Sequence, residues 1–204
     1  AGTHNASLPI TTQGTTTVTW TYNDGNGNVT TQTQTVKVLA SPLDLVTFSN
    51  ASVTYNGSAH PLQVANLPTG ATVTYSANNT SVNAGTYVIT ATITPSASSP
   101  NCASKTLTAN LVINKAPQTI TFSPIAIKTL GLNNTFNLTA TASSNLPVDY
   151  TFNYTSALPP ANVSAAGVVN MLRSGEVTIT AHQAGNANYL PAVDVSQLLV
   201  ILNN

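Results

Sequence analysis

The sequence predicts an all-β protein made of tandem β-sandwich modules arranged as an elongated rod. Strand-length runs rich in Val, Ile and Thr alternate apolar with polar residues. Clusters of Gly, Pro and Asn separate these runs at intervals of about 8–12 residues, which is typical of sandwiches. No stretch of about ten residues combines a helical apolar period with helix caps. The chain of 204 residues, 42% of them hydrophobic, is long enough for more than one module.

The first segment, residues 1–40, contains a predicted hairpin. Val18, Trp20 and Tyr22 share one face of its first strand, because side chains alternate along a strand. The run 24–28 joins this strand to a return strand at 29–38, and its Asn, Asp and Gly residues tolerate the positive φ of tight turns. We predict that the two aromatic side chains are buried in a core.

The second segment begins at Ser41-Pro42 and extends to residue 115. Its predicted strands lie at 46–48, 52–55, 71–75, 85–93 and 106–113. Five or more strands in about seventy residues are typical of an immunoglobulin-like module.

The third segment begins at Ala116-Pro117, a short and stiff linker. Its predicted strands lie at 118–122, 135–142, 148–154, 167–170, 175–181 and 194–201. The chain is therefore predicted to contain three modules, with borders 1–40, 41–115 and 116–204.

The charge of the chain limits its partners. Only 5% of the residues are charged, against roughly a quarter in ordinary domains. Five basic and five acidic residues cancel, so no basic stripe can form for nucleic acid or for anionic lipid. No apolar run is long enough to insert into a membrane. A net charge of zero favours association with neighbouring copies or modules, which suits a crowded cell surface or an extracellular fibre.

The chemistry-bearing residues are few and dispersed. His4, His60 and His182 fall in three different segments, and the five carboxylates are scattered. No serine lies in a Gly-x-Ser-x-Gly elbow. The sequence therefore predicts that the protein is not an enzyme, has no catalytic residues and binds no cofactor.

Two weak candidate sites lie in the first segment. Asp24, Asn26 and Asn28 place oxygen donors at alternate positions, as in part of a calcium loop. Calcium takes six to eight oxygens and usually several carboxylates, so a plain hairpin turn is the favoured interpretation. Trp20 and Tyr22 share a face that suits stacking against a glycan, although the same spacing suits a core.

Two further features concern covalent bonds. Lys115 or Lys37, with Asp44 as the acid, was considered for an intramolecular isopeptide bond to an Asn. Buried unpaired lysines are rare, which argues against that bond. Cys102 is the single cysteine, so no disulfide can form within the chain.

Three segments resemble known bacterial repeat families. Residues 44–115 resemble the MBG repeat of large adhesins through "VTFSNASVTYNGSAHPL", "LPTGATVTYS", "NAGTYVITATI" and "LVINKAP". Residues 116–203 resemble a bacterial immunoglobulin-like module through "QTITF", "LTATASSNLPVDYTF" and "SGEVTITAHQAGNANYLPA". Residues 1–40 resemble the C-terminal half of a HYR-like module through "GTHNASLPITTQGTTTVTWTYNDGNGNVTTQTQTVKV".

The resemblance implies a structural protein of the cell exterior, such as a stalk, a spacer or a fibre subunit of a surface or secreted adhesin. It carries no catalytic residues over. The first module departs from its family by lacking the N-terminal strands, which predicts an open sheet edge for strand complementation between subunits. Two alternatives remain: an adhesin module that binds a glycan or a host protein, and an accessory module of a secreted hydrolase.

Overall fold

The computed structural model describes residues 2–97 and 102–204, and nearly all of its regular structure is β. The elements are β1 (Gly2–His4), β2 (Gly14–Asn23), β3 (Val29–Val38), β4 (Ala51–Thr54), β5 (Thr72–Tyr75), a 3₁₀ turn (Ala77–Thr80), β6 (Gly85–Thr94), β7 (Lys105–Asn114), β8 (Ile120–Thr121), β9 (Lys128–Thr129), β10 (Thr135–Asn137), β11 (Thr141–Ala142), β12 (Asp149–Asn153), β13 (Ala161–Val163), β14 (Val168–Met171), β15 (Gly175–His182) and β16 (Val195–Leu202). The predicted all-β class is confirmed.

The chain divides into two compact units. The first contains 1–48, 63–75 and 90–108, and the second contains 49–62, 76–89 and 109–204. Strands β6 and β7 each have residues in both units. The three module borders derived from the sequence remain a prediction.

The N-terminal residues form a three-stranded sheet of order β1-β2-β3. Strands β2 and β3 pair over their full length, from Gly14 opposite Val38 to Asn23 opposite Val29. The short strand β1 was not predicted, and it pairs only with residues 20–22 of β2. Among the described residues, this sheet therefore has one long edge strand, β3, and one edge that β1 covers only in part.

The predicted burial of the aromatic pair is only partly correct. Val18 is buried at 2% exposure and Trp20 is half-buried, but Tyr22 is 45% exposed. Tyr22 lies next to the hairpin loop, and its partners across the sheet are Gly2 and Thr30. Side chains this small cannot cover a phenol ring, so the ring stays in contact with water.

The next sheet has the order β4-β7-β6-β5. Strand β4 pairs with β7 in parallel, and β5 pairs with β6 in antiparallel. In the first unit a small core forms around Leu43, Val46, Ala91 and Ile93, which are at most 3% exposed. Ala91 and Ile93 lie on one face of β6 because side chains alternate along a strand, whereas Leu43 and Val46 come from the turn region before residue 47.

The C-terminal residues form a sandwich. A four-stranded sheet of order β12-β15-β16-β9 packs with a three-stranded sheet of order β10-β14-β13 and the short pair β11-β8. Their shared core includes Ile120, Phe122, Val163, Val169, Met171, Val177, Ile179, Leu199 and Ile201. The strand predicted over 135–142 is in fact two strands, since β10 and β11 belong to different sheets.

The two four-stranded sheets repeat one another. In each sheet one edge strand pairs in parallel, β4 with β7 and β9 with β16, and the other edge strand pairs in antiparallel, β5 with β6 and β12 with β15. Tyr75 of β5 lies opposite Ala91 of β6, and Tyr150 of β12 lies opposite Ala181 of β15. In both sheets this pairing falls six residues after the first residue of the strand, at 85 and at 175. The register is therefore the same in both.

The repeat extends to a side-chain hydrogen bond. The Tyr75 hydroxyl accepts the backbone N–H of Val64 at 2.9 Å. The Tyr150 hydroxyl accepts the backbone N–H of Ala140 at 2.8 Å. Each phenol thus fixes a loop that lies ten or eleven residues earlier in the chain. We conclude that the second and third predicted segments are built on one plan.

Candidate interaction surfaces

The loop predicted as a weak metal site is a tightly hydrogen-bonded hairpin turn. The Asp24 carboxylate accepts the backbone N–H groups of Asn26 at 2.8 Å and Asn28 at 3.1 Å, and the Asn28 side-chain N–H₂ at 2.6 Å. The bond from Asn26 is the main cause that lowers the pKa of Asp24, and the Asn28 side chain lowers it further. Gly25 and Gly27 supply the positive φ of the turn, at 84° and 94°.

This arrangement favours the structural interpretation of the loop. A cation on Asp24 would have to replace three N–H donors that already bond to its carboxylate. Within residues 2–97 and 102–204, no three His, Cys, Asp or Glu side chains converge on one point. The metal site at Asp24, Asn26 and Asn28 therefore stays an untested prediction.

The aromatic pair borders two open clefts of about 470 Å³ each. The Trp20 ring meets the His4 ring edge-on, with centroids 5.1 Å apart. Tyr22 lines both clefts, one of them with Trp20, Gln32, Thr33 and Gln34. An exposed ring beside amide groups is chemically suited to a sugar, but a glycan partner remains a prediction.

The histidines do not assemble a catalytic group. His182 Nδ1 lies 2.6 Å from Asp194 Oδ1, and the two side chains are 44% and 50% exposed. The nearest hydroxyls in register, Thr180 and Ser196, bond to each other at 2.8 Å. Within residues 2–97 and 102–204, the structure gives His182 a hydrogen bond to Asp194 and none to a hydroxyl, which a triad requires, so the pair is an exposed contact between β15 and the residue before β16.

Lysine contacts differ from those considered for an isopeptide bond. Lys115 Nζ donates to the backbone oxygen of Asn186 at 2.7 Å. The lysine that reaches the segment around Asp44 is Lys105, which donates to the backbone oxygens of Leu43 at 2.8 Å and of Asp44 at 3.3 Å. Both amines thus bond to carbonyl oxygens of the backbone, whereas an isopeptide bond would join a lysine amine to an Asn side chain.

A further interaction surface lies in the second unit, where the predicted linker before β8 meets the loop between β15 and β16. We call residues 183–192 the clamp loop. Ala116 N–H donates to the Asn188 carbonyl at 2.9 Å, and Leu190 N–H donates to the Ala116 carbonyl at 2.9 Å. The linker is therefore held by the loop through both polar groups of one residue.

The same loop reaches residues that precede the linker by 30 or more positions. Asn188 Oδ1 accepts the backbone N–H of Ala84 at 2.8 Å, and Asn188 Nδ2 donates to Asn83 Oδ1 at 3.0 Å. The rings of Tyr55 and Tyr189 meet edge-on, with centroids 5.4 Å apart. One loop thus joins the end of β4, the start of β6 and the linker.

Hydrogen bonds of two buried glutamine side chains also hold the clamp loop in place. Gln118 and Gln183 are each 7% exposed. Gln118 Nε2 donates to Gln183 Oε1 at 2.8 Å and to the Leu190 carbonyl at 2.7 Å. Gln183 Nε2 donates to the Pro147 carbonyl at 3.0 Å. Buried amides with all these partners hold a loop in a single conformation.

Sequence reasoning missed the contacts between the predicted linker and the clamp loop. The available signal was the pair of glutamines at positions where alternation calls for apolar residues. A buried polar side chain must find partners, so each glutamine pointed to a nearby loop.

We expect Asn188→Ala to loosen this contact. The change removes the acceptor of the Ala84 N–H, and one hydrogen bond contributes about 1 kcal/mol. The Ala84 amide should then exchange with solvent deuterium roughly fivefold faster, since 1.4 kcal/mol is a factor of ten. Hydrogen exchange with mass spectrometry or NMR measures it. His182→Ala, outside the contact, serves as the control, and an unchanged Ala84 rate in the Asn188 variant would contradict the assignment.

Among the residues that the structure describes, none belongs to a helix with the length and apolar character needed to cross a bilayer.

The chain was compared with curated sequences and with solved structures. A search of curated sequences finds no match. One similar solved structure is mouse cadherin-23 EC22–24, with 10% sequence identity and a TM-score of 0.34; the match covers 93% of this chain and 74% of that one. Another is the insect immune protein hemolin, with 10% identity and a TM-score of 0.38; the match covers 92% of this chain and 56% of that one. Drosophila N-cadherin EC1–4 is also similar, with 14% identity and a TM-score of 0.32; the match covers 92% of this chain and 58% of that one. This chain therefore spans little more than half the length of the hemolin and N-cadherin structures. These scores support no functional inference.

The family comparison is more specific. The model of the MBG domain family matches residues 45–117, within two residues of the segment that resembles this repeat. The HYR-like and the C-terminal resemblances stay predictions. The two repeated sheets and the C-terminal sandwich give the chain an immunoglobulin-like construction. Residues 45–117 therefore match the MBG domain family, within a chain whose fold is all-β.

Proposed function

We propose that this chain is a structural segment of a bacterial extracellular protein, and that its modules serve as the stalk or spacer of a surface or secreted adhesin. The observation that supports this most is the clamp loop, which holds the linker through Ala116 and also contacts Tyr55 and Asn83. A spacer needs junctions that resist bending, and a hydrogen-bonded linker is less free than a flexible one.

The composition supports the same role. A chain with 5% charged residues and zero net charge has little electrostatic means of recruiting a charged partner. Its polar groups are mostly neutral hydroxyls and amides, which allow neighbouring chains to approach closely. Sandwich modules of this architecture occur in many cell-surface proteins.

Spin-label distance measurements test the spacer role. With Cys102→Ser as background, labels at Asn78→Cys and Thr151→Cys report across the linker, and both positions are exposed. We expect a narrow distance distribution that broadens when Asn188→Ala and Tyr189→Ala remove the clamp contacts. A broad distribution in the unmodified junction would show a flexible linker and would contradict a rigid spacer.

The second part of the proposal is assembly head to tail by strand addition to β3. This strand forms an edge of the N-terminal sheet, is ten residues long and is exposed at nearly every position. An exposed edge presents a row of backbone N–H and C=O groups to another strand. A donor strand from another copy would complete the sheet, and a contact of that kind that does not close gives a filament.

Negative-stain electron microscopy of the purified chain tests this assembly. We expect filaments with a regular axial repeat. Thr33→Lys with Thr35→Lys should abolish them, because charges on an edge strand oppose pairing. Thr17→Lys is the matched control, since Thr17 lies opposite Thr35 on the central strand and is equally exposed. Separate particles of the unmodified chain would reject strand addition and leave the spacer role intact.

A further inference from the structure

We propose that the far end of the C-terminal sandwich is a docking surface for another module of the same type, which would bind it through its own clamp loop. The surface, here called the end surface, consists of Leu132, Leu172, Leu202 and Arg173. This inference rests on the proposed spacer function and specifies the partner of one surface.

The repeated architecture identifies the end surface. In the MBG domain, the parallel strand β4 ends at Thr54, and the next N–H, that of Tyr55, donates to the Asn114 carbonyl at 2.8 Å. In the C-terminal sandwich, the parallel strand β9 ends at Thr129, and the next N–H, that of Leu130, donates to the Leu202 carbonyl at 3.0 Å. Leu130 therefore occupies the position that Tyr55 occupies in the preceding module.

The second half of the surface follows from the same correspondence. Asn83 and Ala84 directly precede β6, which begins at residue 85. Arg173 and Ser174 directly precede β15, which begins at residue 175. Strand β6 pairs with the strand that carries Tyr75 in the same register as β15 pairs with the strand that carries Tyr150. Arg173 therefore occupies the position that Asn83 occupies in the preceding module. The contact points of the clamp loop thus have counterparts at the end of the sandwich.

Backbone hydrogen bonds hold the segments of the end surface together. Leu130 is bonded to Leu202, and Met171 N–H donates to the Asn134 carbonyl at 2.8 Å. The loop 130–134 therefore bridges the end of β16 and the end of β14. The three leucines on these segments are fully exposed at 132, 42% exposed at 172 and 49% exposed at 202.

The nature of the occupant follows from what covers the equivalent place in this chain. There, the Tyr55 ring packs against Tyr189, and Asn188 bonds with Asn83 and Ala84. At the end surface, a tyrosine ring can pack against the exposed leucine side chains, and burial of their apolar surface is favourable by about 25 cal/mol per Å². The Arg173 guanidinium offers donors to an amide oxygen such as that of Asn188. The end surface thus places apolar side chains beside one polar side chain, which complements the Tyr189 ring and the Asn188 amide of a clamp loop.

An extended chain tests the inference. After Leu202 the chain continues with a second copy of residues 115–204, which keeps the natural linker spacing. Cys102→Ser removes the native thiol, and Thr151→Cys in both copies accepts spin labels. We expect a distance distribution about as narrow as that across the natural linker, measured in the same protein background. Replacing Leu132 and Leu172 by Asn should broaden it, whereas Leu158→Asn, a 57% exposed leucine outside the surface, should not.

The outcomes separate this inference from the function on which it rests. A broad distribution at the new junction, with a narrow one at the natural linker, would overturn the docking surface and leave the spacer function standing. Broad distributions at both would overturn both. A second copy that fails to fold, seen as a missing calorimetric transition, would also contradict the inference, because the same sequence folds behind the MBG domain.

Discussion

Gly185→Ala is expected to disrupt the clamp loop and to lower the free energy of unfolding by more than about 2 kcal/mol. Gly185 has φ +77°, where an L-residue is strained by about 1–2 kcal/mol. A Cβ there would also lie 2.5 Å from the Tyr189 carbonyl oxygen and 2.8 Å from the Leu190 carbonyl carbon. Both neighbours are backbone atoms, so the loop itself must move. Urea denaturation measures the change.

Two other glycines separate the effect of backbone strain from the effect of a steric clash. Gly57 has φ +82° but open space around its Cβ position, so Gly57→Ala carries strain without a clash. Gly131 has neither a positive φ nor a neighbour within 4 Å, so Gly131→Ala should be neutral or slightly stabilising. We expect the loss of stability to rise from Gly131 to Gly57 to Gly185. Equal losses at Gly57 and Gly185 would mean that the loop adjusts freely and that its geometry is not constrained.

Asn79→Ala is expected to destabilise the protein by about 2–4 kcal/mol. Asn79 is 5% exposed, in the 3₁₀ turn between β5 and β6. Its Oδ1 accepts the Leu62 N–H at 2.7 Å, and its Nδ2 donates to the Leu62 carbonyl at 3.0 Å. Alanine leaves both buried groups of Leu62 without a partner, and each such group costs about 1–3 kcal/mol.

The neighbouring Asn78 provides the matched control. It lies in the same 3₁₀ turn but is exposed, so Asn78→Ala should change stability by less than about 0.5 kcal/mol. The urea midpoint should fall in the Asn79 variant, with the slope m unchanged. If both variants unfold at the same midpoint, the Asn79 side chain does not support the Leu62 backbone, and the loop before β5 is held by other contacts.

Long strands were predictable because their pattern is local. Strands β2, β6 and β15 show apolar residues at every second position over most of their length, and β3 follows a hairpin turn; the sequence placed each within about two residues of its observed bounds. Strands β1, β9 and β13 have two or three residues each, too few to show a period, and were missed. Their pairing depends on partners that lie far away in the chain.

The candidate sites were likewise predictable where their contacts are local in sequence and unpredictable where their contacts come from distant strands. The turn at Asp24 was identified as the favoured interpretation, since its hydrogen bonds reach only two to four residues along the chain. The burial of Tyr22 was predicted wrongly, because alternation says which face a side chain takes and not whether anything covers that face. The partners opposite Tyr22 come from β1 and β3, and only the sheet register identified them as Gly2 and Thr30.

The sequence by itself determined the all-β class and the long strands, and it predicts a linker at Ala116-Pro117 and the lack of partners that require a charged surface. Alternation, turn residues and net charge are local or summed properties, so they can be derived without a fold. The tertiary structure alone decided that β3 is an edge, that two sheets share one plan and that the clamp loop closes on the linker. Asn188 reaches Ala84 across 104 positions of sequence, and no local pattern encodes a contact of that range.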